Sequence, residues 1–75
     1  MITVATNTTS SAVATLTANC PAGNPNAIAG GWENVDTGGN GQWVSGSFRT
    51  AGGGGWTVTL TANDAAWSAY AICSK

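Results

Sequence analysis

The stretch from Gly52 to Ala62, GGGGWTVTLTA, constrains this chain more than any other part of it. After the glycines, Trp56, Val58, Leu60 and Ala62 alternate strictly with Thr57, Thr59 and Thr61. A period of two sends the two sets to opposite faces of a β-strand. Valine and threonine suit such a surface, because a branched Cβ packs well on a half-buried pleat. The apolar face demands a second layer, and the glycines give the strand a flexible lead-in.

The rest of the chain reads as candidates for that layer. Ile2 to Thr6 alternates Ile2, Val4 and Thr6 against Thr3 and Ala5, the pattern of an edge strand. Residues 1–12 thus form an edge strand or an N-terminal arm. Val13 to Cys20 places Ala14, Leu16, Ala18 and Cys20 on one side and Val13, Thr15 and Thr17 on the other. Pro21 to Asn26 is a loop, rich in residues that break regular structure. Ala27 to Val35 is a third strand carrying Ile28 and Trp32, with Gly30-Gly31 where backbone or an aromatic ring must approach closely. Asp36 to Gly41, DTGGNG, has the composition of a hairpin connection. Gln42 to Phe48 is a fourth strand, and Arg49 to Gly55 a second glycine-rich loop. Asn63 to Ala66 turns the chain after the strand that starts at Trp56, and Trp67 to Cys73 is the last strand. It has apolar groups on both faces, Ala69, Ala71 and Cys73 opposing Tyr70 and Ile72, which suits a central position. Trp43 follows Gly30-Gly31-Trp32 at the same interval as Trp67 follows Gly54-Gly55-Trp56, an echo that two hairpins of matching length would produce. The expected fold is a single all-β domain over residues 1–75, a small antiparallel β-sandwich or barrel of about six strands.

At 75 residues the core is near the size where a staple or a partner is needed. Cys20 and Cys73 are the obvious staple, and a disulfide closing so long a loop stabilises by roughly 4 kcal/mol in the chain-entropy model. The alternative is two buried thiols in a reducing compartment. A short Gly/Thr-rich β chain favours the bridge. A zinc site is disfavoured, since the chain has no histidine and two thiolates alone do not close a tetrahedral shell.

Charge is sparse. Charged side chains make up 7% of the residues, against about 25% in an ordinary soluble domain. The net charge of −1 gives no footprint for nucleic acid or an anionic membrane, and no apolar run approaches the ~20 residues of a spanning helix. Two readings of so uncharged a surface stand side by side. One is coverage by copies of the chain or by a host assembly; the other is solvation by threonine, serine and asparagine. The opening MITVATNTTSS has neither the basic start nor the apolar middle of a secretion signal. Either a leader has been removed, or the chain reaches its place without one, as virion proteins released by lysis do. Asn7-Thr8-Thr9 matches the N-glycosylation triplet, a weak signal in an Asn/Thr-rich chain.

Four segments taken together carry a resemblance: Cys20-Pro21-Ala22-Gly23, Ile28-Ala29-Gly30-Gly31-Trp32, Gly55 to Asn63, and Ala69-Tyr70-Ala71-Ile72-Cys73. Their order is similar to that in small β-domains of secreted actinobacterial proteins and of phage tail, fibre and other virion proteins. The resemblance covers Cys20 to Cys73. It implies that the two cysteines pair, that Trp32 is a core residue, and that the domain performs no catalysis.

The residues themselves offer little chemistry. There is no histidine and no GxSxG. The one near pair of acids, Glu33 and Asp36, reads as turn carboxylates rather than an acid/base dyad. The glycine runs lack the lysine and following helix of a phosphate loop. No cofactor is expected. The expected core comprises Leu16, Ile28, Trp32, Trp56, Val58 and Leu60. Trp43 and Trp67, with Tyr70 and Ile72 opposite the core face of the last strand, are the candidate contacts for a ligand or partner. A threonine row over Thr57, Thr59, Thr61, Thr15 and Thr17 reads first as a solvated face, and only distantly as a water-ordering array.

The functional expectation is a non-enzymatic structural surface protein of a larger assembly. A phage virion component, as capsid decoration, head fibre or tail, is the first form of it, at the virion surface or outside the cell. The partner would be the chain itself, as a homo-oligomer with a trimer first, together with a host capsid or fibre. A secreted carbohydrate- or wall-binding module using exposed tryptophans is one alternative. A filament subunit pairing through the Ile2–Thr6 edge is another.

Overall fold

The computed structural model describes residues 2–35 and 43–75. Within them lie β1 (Ile2–Thr8), β2 (Val13–Asn19), β3 (Asn26–Glu33), β4 (Val44–Arg49), β5 (Gly55–Asp64) and β6 (Ser68–Ser74). The strands form two three-stranded antiparallel sheets, β1-β6-β3 and β2-β5-β4. Each sheet is built around one of the two strands with the clearest sequence pattern. β5 is central in the second sheet, and β6, apolar on both faces, is central in the first.

β5 behaves as its alternation dictates. Val58 and Leu60 are buried between the sheets, with Leu16 and Ala18 of β2 beside them. From the first sheet Ala69, Ala71 and Cys73 of β6 close the core. Short alanine side chains on β6 let the sheets approach, and the bulk comes from β5 and from two tryptophans. Trp67, just before β6, is fully buried beside Leu16, Val58, Leu60 and Ala69, and its Nε1 donates to the Val13 carbonyl at 3.2 Å. Trp56 is half-buried and packs against the clusters at both ends of the sandwich, with Nε1 donating to Ser47 Oγ at 2.8 Å.

The Cys20–Cys73 disulfide is formed, with the Cα atoms 5.8 Å apart. It ties the chain just past β2, in the second sheet, to β6 in the first. Beside it the glycine-rich loop is a bonded stitch rather than a loose lead-in. Gly54 O accepts from Cys20 N at 2.8 Å and Gly53 O from Ala27 N at 2.9 Å, so one loop of the second sheet also holds β3 of the first. Gly52 and Gly53 have φ of 89° and 80°, a conformation that glycine adopts without steric cost.

Several expectations are corrected. Ile28 and Trp32 are not core residues: they are 57% and 43% exposed. A bulge between Ala27 and Ala29 makes Ile28 the extra residue of the strand, and it is Ala27 that turns inward. Trp32 lies on the ladder opposite Ala69, but β3 is an edge strand and the volume above Ala69 is occupied by Trp67. Trp67 in turn is not an exposed contact. The echo of two matching hairpins also fails, since β3 and β4, like β5 and β6, belong to different sheets. The consecutive strands that do pair are β4 and β5, through residues 50–54, with Thr50 N donating to Gly55 O at 2.9 Å. Residues 36–41, read as a hairpin connection, fall outside the described residues together with Asp36. The strand from Trp56 runs on to Asp64, and the turn is confined to Ala65 and Ala66.

Candidate functional site

Each of the two sheets turns one face outward, and the candidate contacts Tyr70 and Ile72 lie on one of them. The outer face of the first sheet is set by β6. Ala69, Ala71 and Cys73 point inward, so Ser68, Tyr70, Ile72 and Ser74 point outward, and their ladder partners share that face. Val4 and Ala29 flank Ile72; Thr6 and Gly31 flank Tyr70; Ile2 flanks Ser74. Tyr70 lies across Gly31, where a Cβ would come within 2.6 Å of the phenolic oxygen. Tyr70 and Ile72, expected opposite the core face, are therefore on the outer face and only half-covered.

β1 is inverted on this sheet. It turns Ile2 and Val4 outward, 55% and 61% exposed, and turns Thr3 and Ala5 toward the core side. A slip of one residue in its register with β6 would reverse this. Instead the large aliphatic groups of β1 meet solvent beside Ile72, with Ile28 exposed at the bulge of β3. A sheet face open to water is ordinarily the polar one. Sequence alternation disclosed the two faces of β1 but not which of them faced in.

The outer face of the second sheet is polar and internally satisfied. Thr57 Oγ1 shares hydrogen bonds with Thr17 Oγ1 at 2.9 Å and with Thr50 Oγ1 at 2.7 Å, and Ser45 Oγ with Thr59 Oγ1 at 2.9 Å. Phe48 is exposed there, its ring over Gly46. Trp43 is exposed as expected, its backbone clipped to Thr61. Neither Phe48 nor the bonded state of the threonine row was anticipated.

The edges are partly closed. Asn7 Nδ2 donates to the Thr17 carbonyl at 3.0 Å, joining the edge of β1 to the edge of β2 in the other sheet. Glu33 is exposed at one end of β3, and Arg49 lies against Gly53 in the β4–β5 hairpin. Among the described residues there is no concave pocket, no group of three or more metal-ligating side chains, and no helix long and apolar enough to cross a membrane.

Fold and surface together define a small, disulfide-closed antiparallel β-sandwich with an aliphatic row on one outer face and a hydroxyl-rich array on the other. No protein family, curated protein or solved structure matches this chain.

Proposed function

We propose that this chain is a non-enzymatic structural protein that works as a surface component of a larger assembly, its first sheet forming the contact. The inverted β1 carries this reading: a strand that keeps Thr3 and Ala5 inward and presents Ile2 and Val4 outward is built for cover from outside. The low charge supports it, because few solvated side chains oppose burial of such a face. A disulfide that ties the two sheets fits work in an oxidising setting, outside the cytosol. The resemblance of the Cys20 to Cys73 segments to phage virion domains gives the proposed setting, a capsid-decoration, fibre or tail site.

A carbohydrate-binding reading keeps one observation in its favour, the pairing of exposed Trp43 and Phe48 with a hydroxyl-rich face. It loses Trp67 to the core. Mass and shape in solution, measured beside a glycan array on the same sample, separate the two. Association that Val4→Glu abolishes is the expected result. A monomer at all concentrations that binds a polysaccharide through Trp43 would overturn the assembly reading.

A further inference from the structure

We infer that the outer face of the first sheet is a self-complementary surface on which a second copy of this chain docks about a twofold axis, strands antiparallel across the contact. This names the partner for the assembly reading and rests on it. The face is three strands wide and about seven residues long. With strands ~4.8 Å apart and ~3.4 Å per residue, its footprint is roughly 14 by 24 Å. That is roughly 340 Å² per copy, well under the ~800 Å² per partner of a standard interface, so the contact is a weak one. Its middle is apolar: Val4, Ile72 and Ala29 form one row across the sheet, with Ile2 and Ile28 at their ends.

Charge selects the occupant and its orientation. The chain has two cationic and three acidic side chains. Arg49 is exposed on the second sheet, its guanidinium over Gly53 of the β4–β5 hairpin, Asp64 is buried, and Asp36 lies outside the described residues. Glu33, at the end of β3, and Lys75, one residue past β6, are exposed at opposite ends of this sheet. Glu33 sits level with Ser68 at the start of β6, and Lys75 follows Ser74 at its end. A twofold axis lying in the face and crossing the strands exchanges the two ends. Each copy then lays its Glu33 toward the partner copy's Lys75, while Val4, Ile72 and Ala29 meet their own symmetry mates. The alternative axis, along the strands, would put acid over acid and lysine over lysine. Opposite charges at the two ends thus fix a register that the aliphatic middle leaves open. A contact of this kind is isologous; a threefold would need two different complementary faces.

The test is sedimentation equilibrium of the full chain from 10 µM to 1 mM, at low and moderate salt, on five proteins: wild type, Val4→Glu, Glu33→Lys, Lys75→Glu, and the double charge swap. A small contact predicts a concentration-dependent dimer rather than a permanent one. Val4→Glu should abolish it while leaving the circular dichroism and melting profile intact, since Val4 is outside the core. Each single charge reversal should weaken dimerisation by roughly tenfold, through two symmetric pairs turned from attraction to repulsion. The double swap should restore it, and added salt should narrow the differences. A monomer throughout, a trimer, or fibres through the strand edges overturns the twofold. Dimers that Val4→Glu abolishes, but that the double swap leaves as weak as the single charge reversals, also overturn it and leave the assembly reading standing.

Discussion

Gly30 and Gly31 are adjacent, yet they are glycine for opposite faces of the same strand. A Cβ at Gly30 would fall within the Trp56 indole, against ring atoms next to the indole's own backbone attachment. A Cβ at Gly31 would meet the phenolic end of Tyr70, which is free to swing outward. Gly30→Ala should therefore cost about 2–3 kcal/mol through overpacking, and Gly31→Ala under ~1 kcal/mol. Denaturant unfolding of the two variants checks this, and equal losses would refute the two-face placement. That a ring must approach Gly30-Gly31 was legible in the sequence. Which ring met which glycine was not, because Trp56 and Tyr70 arrive from different sheets.

At the scale of the element, two backbone irregularities decide more than propensity does. The β3 bulge moves Ile28 out of phase, so a strand that reads as Ile28/Trp32 inward presents Ala27 inward instead. The turn between β5 and β6 places Ala66 at φ 58°, a left-handed conformation that costs an alanine roughly 1 kcal/mol. Trp67 follows it directly and must enter the core at that angle. Ala66→Gly should raise the unfolding free energy by up to about 0.5 kcal/mol, the relief of the αL strain slightly exceeding the added freedom of the unfolded chain. A loss of stability would mean that the Ala66 methyl carries packing worth more than its strain.

For the whole molecule, the disulfide and the glycine loop act at one end of the sandwich and the Trp67 plug at the other. The Ala18, Ala71 and Cys73 cluster at the disulfide end is made of small side chains, so little apolar area holds it. Replacing both cysteines by serine should cost about 4 kcal/mol in the loop-entropy account. In so small a domain that is a large part of the total stability. Thermal melts of oxidised, reduced and double-serine protein should place the last two together, well below the first. A shift of less than a few degrees would show the core to be self-sufficient.

The alternation around Trp56–Ala62, the two-faced last strand and the cysteine pair were enough to determine the fold class, the central place of the last strand and the covalent closure, because each depends on local periodicity or on a single bond. The sorting of tryptophans was decided only in three dimensions. Trp67 and Trp32 compete for the space over Ala69, and the winner depends on Trp32 lying on an edge strand while Trp67 enters from the β5–β6 turn. The same holds for β1. Its period of two separates Ile2 and Val4 from Thr3 and Ala5, but periodicity has no sign. Only the register against β6, Val4 opposite Ile72 and Ala5 opposite Ala71, turned the aliphatic pair outward and left this sandwich with an aliphatic row on its surface.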